Sequence, residues 1–330
     1  MKAHRLICKY SPPKVFYRYF SQCPIHLSLN PFTRRLFKLP SPPSPPSTNH
    51  NDLPSFLSYS ERIALPQTST TYVGTHYEYT VQQTLRQFAF TLDRIGGRDD
   101  AGIDLVGTWH LPQREHPLRV FVQCKSLKTK LGPNLVRELE GTFRQSPVGW
   151  RTGEKAGVLV STREATKGVR DAMARSTYPL VWMMVERDGT VQQALWNARV
   201  EELGLGALGV ETRYGGHVDD DGDASAGKRI ALTWDGEDIP HMDEVEKQMA
   251  QAEAKWMALW DEGLPNSESG ELELLEIVET LFPDEKPLLA TGPTGVCSTL
   301  SDVDRARVLQ VFRDRLHARQ PEGRSESNET

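Results

Sequence analysis

Between Thr70 and Val185 the hydrophobic positions switch repeatedly between a helical and an alternating period. Tyr77, Val81, Leu85 and Phe88 fall at i, i+4, i+8 and i+11, one face of a helix that Thr71 or Thr75 can cap. Strand-forming runs follow at 90–95, 103–109 and 118–125, and the proline-bounded stretch 112–117 turns the second into the third. Gly132-Pro133 then opens a helix carrying Leu135, Val136, Leu139 and Phe143. A buried-type strand at 157–161 comes next, followed by Thr166 in an N-cap position before a helix with Val169, Ala172 and Met173, and a last central strand at 180–185. Strands separated by helices at the end of this order predict parallel pairing with helices on both faces. The expected domain is a three-layer α/β/α unit with a mixed central sheet.

The flanks read differently. Residues 219–223 (Asp-Asp-Asp-Gly-Asp) suit a solvated linker, and 228–234 a short strand. Met242, Val245, Met249, Ala252, Trp256 and Leu259 keep helical spacing, and two more helices are expected at 271–282 and 301–316. The chain therefore divides into 1–54, a leader and Pro/Ser-rich spacer; 55–218, the α/β domain; and 219–330, a mainly helical extension.

Charge sharpens this division. Residues 1–50 hold eight basic residues, no acid and nine of the 22 prolines; 51–218 are near balance, with 20 basic and 18 acidic residues; 219–330 carry 11 basic and 26 acidic ones. A basic, acid-free, serine-containing N-terminus is the composition of an organelle transit peptide. Arg18-Tyr19-Phe20-Ser21 resembles the Arg-x-(Phe/Tyr)-Ser pattern of matrix cleavage sites, so the mitochondrial matrix is the expected location. The longest apolar run, Leu180 to Val185, is six residues against the roughly 20 that a bilayer span needs, so no membrane span is expected. Four cysteines without a CxxC pair argue against a zinc ribbon or a disulfide framework.

Candidate chemistry concentrates in Gly102-Ile103-Asp104 and Val122-Gln123-Cys124-Lys125. Strand period places Gln123 and Lys125 on one face and Cys124 on the other, while Asp104 begins the neighbouring strand. An acid, an amide and an ammonium can thus meet at one end of a sheet. Taken singly, Asp104 is an ordinary turn residue, Lys125 a strand-end charge and Glu78 an exposed helix residue.

Together, these residues resemble the PD-(D/E)xK nuclease superfamily, specifically its restriction-endonuclease-like Mrr branch. The matching elements are Gly74-Thr75-His76-Tyr77-Glu78, Gly102-Ile103-Asp104 and Val122-Gln123-Cys124-Lys125, in that order, within residues 70–190. Combined with the N-terminus and the continuation from Trp196-Asn197 to Tyr214, the chain resembles a fungal mitochondrial family required for respiratory growth.

The resemblance implies a DNA nuclease using Mg²⁺ or Mn²⁺. Asp104, Glu78 and Gln123 would hold the ion, with the Cys124 carbonyl and waters, and Lys125 would serve the attacking water. Gln123 departs from the Glu or Asp usual in the superfamily, and an amide adds no charge. The alternative is an inactive nuclease fold acting as a nucleic-acid-binding or assembly module.

Between residues 119 and 175 there are 12 basic and five acidic residues, a composition suited to a polyanion. Lys128, Lys130, Arg163 and Lys167 are the expected nucleic-acid contacts. The acidic extension is a candidate surface for a protein partner. Gly204-Leu205-Gly206-Ala207-Leu208-Gly209 spells GxGxxG, but the hydrophobic strand and following helix of a dinucleotide site are not expected around it.

Overall fold

Six strands form one mixed sheet in the order in which they occur along the chain. In the computed structural model, which describes residues 30–97, 102–114, 116–127, 129–218, 224–260, 268–283 and 300–319, they are β1 (Phe90–Arg94), β2 (Leu105–Trp109), β3 (Leu118–Lys125), β4 (Lys155–Ser161), β5 (Leu180–Val185) and β6 (Val191–Trp196). Pairing is antiparallel from β1 to β3, parallel from β3 to β5, and antiparallel again at β6. The expected α/β class and mixed sheet are therefore present. The added edge strand β6 escaped the sequence because Val191-Gln192-Gln193-Ala194 carries too few apolar residues to mark a strand.

Helix α3 (Thr70–Leu85) starts at Ser69, whose side chain accepts the Tyr72 N–H at 3.2 Å, two residues ahead of Thr71 and six ahead of Thr75, the expected caps. Tyr77, Val81 and Leu85 pack with Leu105, Val120 and Val122 on one face of the sheet. Two polar bonds fix the helix: Tyr77 Oη donates to Val185 O at 2.8 Å and Gln82 Nε2 to Leu92 O at 2.7 Å. The other face carries α4 (Asn134–Gln145) and α5 (Lys167–Arg175), whose Leu135, Leu139, Phe143, Val169 and Met173 bury Val106, Phe121 and Leu159. Thr166 caps α5 as expected, accepting the Val169 N–H. The two crossovers through α4 and α5 bring the carboxyl ends of β3 and β4 side by side, with Lys125 opposite Ser161. Ligands of open α/β sheets gather at such ends.

The flanks depart from the expected division. The matrix-cleavage pattern at 18–21 lies outside the described residues, but α1 (Pro31–Leu36), within the expected leader and ahead of the Pro/Ser-rich spacer, is part of the core. Phe32, Leu36 and Phe37 are buried, and Phe32 packs on Trp256 with ring centroids 5.7 Å apart. Six residues are too few for a helical period to show, although Asn30 caps this helix and Pro31 opens it. The short α2 (Leu53–Arg62) follows, capped by Asp52. After β6, the single turn α6 (Ala198–Val200) leads into β7 (Leu208–Val218), which pairs with β8 (Ala224–Trp234); β9 (Glu237–Asp238) completes a second sheet. The expected boundary at 218/219 thus falls within a paired hairpin, and the expected linker at 219–223 lies outside the described residues. GxGxxG sits between a helical turn and a strand, the reverse of a dinucleotide site.

Helices α7 (Met242–Ala258), α8 (Glu268–Leu281) and α9 (Asp302–Arg319) match the three expected ones. Their Met249, Trp256, Leu274, Ile277 and Phe312 join α1 and one sheet face in a single hydrophobic cluster. Several acids of α7 and α8 are engaged within the chain: Glu253 accepts from Thr33 Oγ1 at 2.5 Å, Glu279 pairs with Arg35 at 2.6 Å, and Asp243 and Glu246 pair with Arg86 at 2.6 and 2.9 Å. Part of the acidity therefore ties these helices to the N-terminal half. No helix among the described residues is long and apolar enough to cross a membrane.

Two predictions follow from this packing. Phe32→Ala should cost about 3–5 kcal/mol in urea unfolding, as a buried aromatic truncation does; an unchanged midpoint would place α1 outside the fold. His110 is buried with Nε2 3.0 Å from Thr108 Oγ1, and burial pushes its pKa down to about 4. The unfolded chain then takes up the proton first as pH falls, so stability is lost on acidification from about 6.5 toward 4. Between pH 7 and 5 this loss should reach about 2 kcal/mol and shrink in His110→Gln.

Candidate active site

The antiparallel register of β2 and β3 places Asp104 one step beyond the Leu105–Val122 pair, against Gln123. Its N–H donates to Val122 O at 2.9 Å, and its carbonyl accepts the N–H groups of Ile95 and Gly96, both at 2.9 Å. Its carboxylate Oδ2 accepts the Cys124 N–H at 2.6 Å. Asp104 is thus held between the end of β1 and the end of β3 by backbone bonds and by its own side chain. Gly102, at φ 80°, makes the turn into this strand, and a Cβ there would sit 3.1 Å from Gln123 Nε2.

Glu78 reaches the same place from α3. A Cβ on Gly96 would lie 3.2 Å from Glu78 Oε2 and 3.3 Å from Asp104 Cα, so the absent side chain lets the helix carboxylate approach the Asp104 backbone. Arg94, on β1, donates from Nε to Glu78 Oε2 at 2.5 Å, with the two side chains only 12% and 14% exposed. Its Nη2 lies 3.4 Å from Thr75 Oγ1, and its guanidinium stands 5.5 Å from the centre of the Tyr79 ring.

Gln123 and Lys125 lie on the α4 side of the sheet, as strand alternation requires. Gln123 is 3% exposed, and its Oε1 has no hydrogen-bond partner among the described residues. An unsatisfied buried acceptor costs about 1–3 kcal/mol, so this oxygen is a natural point for a cation or a donor. Ser126 Oγ, just beyond, is a second such atom. Lys125 Nζ lies 3.7 Å from Glu138 Oε2 of α4.

Burial pushes the Cys124 thiol well up, the carboxylates of Asp104 and Glu78 push it further, and Lys125 and Arg94 oppose them. A thiol held protonated is a poor nucleophile.

Of the sequence-derived set, Glu78 approaches the Asp104 backbone from α3, whereas Gln123 stands opposite Asp104 in the register and, with Lys125, faces α4. Among the described residues no group of three or more His, Cys, Asp or Glu side chains gathers as a metal cage; the third oxygen here is an amide. Lys130, Arg163 and Lys167 are exposed on the loops following β3 and β4 and at the start of α5, and Lys128 lies outside the described residues. Those loops are joined by Thr162 Oγ1 donating to Leu127 O at 3.2 Å and Thr166 Oγ1 to Leu131 O at 3.1 Å. Lys167 is paired with Asp171 at 2.7 Å. Sequence reasoning missed Arg94 and Glu138. A basic residue ending a strand just before Gly96-Gly97 was the available signal for Arg94.

The Asp104–Cys124 bond makes a structural prediction. Asp104→Ala removes the acceptor of a partly buried N–H and should destabilise the chain by about 1–3 kcal/mol in urea, whereas Asp104→Asn keeps an oxygen there and should cost less. Equal losses would mean that the bond contributes nothing.

The sequence model of the family "Required for respiratory growth protein 7" matches residues 69–117 and 111–214. An uncharacterized mitochondrial protein of Schizosaccharomyces pombe is 36% identical over 156 residues, covering 46% of this chain and 61% of that protein. Required for respiratory growth protein 7, mitochondrial, of Saccharomyces cerevisiae is 27% identical over 175 residues, covering 40% of this chain and 72% of that protein. Its namesake in Vanderwaltozyma polyspora is 35% identical over 92 residues, 27% of this chain and 33% of that one. The chain thus spans about three fifths of the fission-yeast relative. No solved structure matches. The matched region contains every candidate site residue, and the mitochondrial location expected from the N-terminus agrees with the names of these relatives. Residues 69–214, under half of the chain, are thus similar to the required for respiratory growth protein 7 family, and the protein is mitochondrial.

Proposed function

We propose that this domain is a restriction-endonuclease-like, divalent-metal-dependent phosphodiesterase acting on DNA in the mitochondrial matrix. Through that activity it would serve the maintenance or expression of the mitochondrial genome, on which respiratory growth depends. The observation that carries the reading is the buried Gln123 Oε1, without a partner among the described residues, on the residue that faces Asp104 across the β2–β3 register at the carboxyl end of β3. Hard oxygen donors suit Mg²⁺ or Mn²⁺. Asp104 and Gln123 would hold the ion, with Glu78 reaching it from α3. When bound, the ion supplies a polarised phosphate and a water of lowered pKa. Lys125 would orient the attacking water and stabilise the charge that builds on the phosphate oxygens. Lys130 and Arg163, from the two adjoining loops, and Lys167, at the start of α5, would track the DNA backbone, with Lys128 as a further contact.

One observation favours the second reading, a nuclease fold retained as a nucleic-acid-binding module. Arg94 already neutralises Glu78, and Gln123 brings no charge, so the site has less negative charge for a cation than a three-carboxylate centre.

The two readings separate when the full chain is incubated with circular DNA and Mg²⁺ or Mn²⁺. The first predicts cleavage that a chelator stops, reduced at least a hundredfold in Asp104→Asn and in Lys125→Ala. Salt-sensitive binding without cleavage selects the second. Absence of both at low salt contradicts either. Under both readings, neutralising Lys130, Arg163 and Lys167 should flatten the slope of log affinity against log salt by about 0.9 per lost phosphate contact.

A further inference from the structure

Arg94 is built into the site more firmly than a passing surface ion pair. Its guanidinium is held by Glu78 Oε2 at 2.5 Å, lies near Thr75 Oγ1 at 3.4 Å and stands over the Tyr79 ring at 5.5 Å. Both charged side chains are largely withdrawn from water, where counter-ions screen little and a positive charge acts strongly on its neighbours. The pair also adjoins Asp104: Glu78 Oε2 and Asp104 Cα flank the same point at Gly96, 3.2 and 3.3 Å from where a Cβ there would stand.

From this geometry we infer that Arg94 is a positioning residue that sets the divalent-ion affinity of the site. It holds the Glu78 carboxylate in place and competes with the ion for it. The inference rests on the metal reading above and adds a control that the sequence motif does not contain. A guanidinium always carries its charge and presents a rigid fork, so the competition is permanent. Loading the ion through Glu78 requires that carboxylate to exchange one cation for another.

Mn²⁺ titration of the full chain by calorimetry tests this, using wild type, Arg94→Gln, Glu78→Gln and the double variant. Cooperative melting without metal shows first that each is folded. Arg94→Gln should bind Mn²⁺ at least fivefold more tightly than wild type, and the gain should vanish in the Glu78→Gln background. Arg94→Lys, which keeps the charge but loses the fork, should fall between wild type and Arg94→Gln, and it carries the test if Arg94→Gln does not melt cooperatively. Unchanged or weaker binding in these Arg94 variants, with wild-type binding intact, overturns the inference. A gain that persists without Glu78 also overturns it, because the effect would then be one of general charge. If Mn²⁺ binds to none of the proteins, the metal reading itself falls and takes this inference with it.

Discussion

A carboxylate at the mouth of one strand accepts the backbone N–H of the next, and the candidate site depends on that bond. With Oδ2 on the Cys124 amide and its own N–H on Val122, Asp104 cannot move without opening the β2–β3 ladder. The register therefore transmits directly to the chemistry. Gln123 and Lys125 must face α4, Cys124 must face α3, and the parallel neighbour β4 must present Ser161 beside Lys125. A slip of one residue would exchange the faces and bury Lys125 in the apolar layer under α3.

What the bond arranges is an electrostatic balance rather than a simple acidic pocket. Glu78 is matched by Arg94 on the α3 side, and Lys125 is matched by Glu138 on the α4 side. The same pattern recurs on a larger scale. Acids of α7 and α8 bind Thr33, Arg35 and Arg86, so the chain's strong charge asymmetry is partly spent in joining its two ends.

The central elements were legible because their periods are long and clean. Residues 118–125 and 180–185 coincide with β3 and β5, and Thr166 caps α5 where a threonine before a helical period should. The candidate acids and Lys125 were legible as a motif whose order matched predicted elements. Three things were not. Helix α1 is too short and too rich in neighbouring prolines to show a period, yet it places Phe32, Leu36 and Phe37 in the core. Strand β6 sets Gln192 and Gln193 side by side, so no alternation marks it. Arg94 belongs to a pair separated by 16 positions along the chain, on a helix and a strand, and nothing local in sequence joins its two members.

The most direct test of the central claim is anomalous diffraction from crystals of the full chain soaked in Mn²⁺. The account predicts one anomalous peak at the carboxyl end of β3, coordinated by Asp104 and Gln123 Oε1, and absent in Asp104→Asn. A peak elsewhere with none at Asp104, or Gln123 Oε1 hydrogen-bonded to a protein donor in a metal-free site, would contradict it.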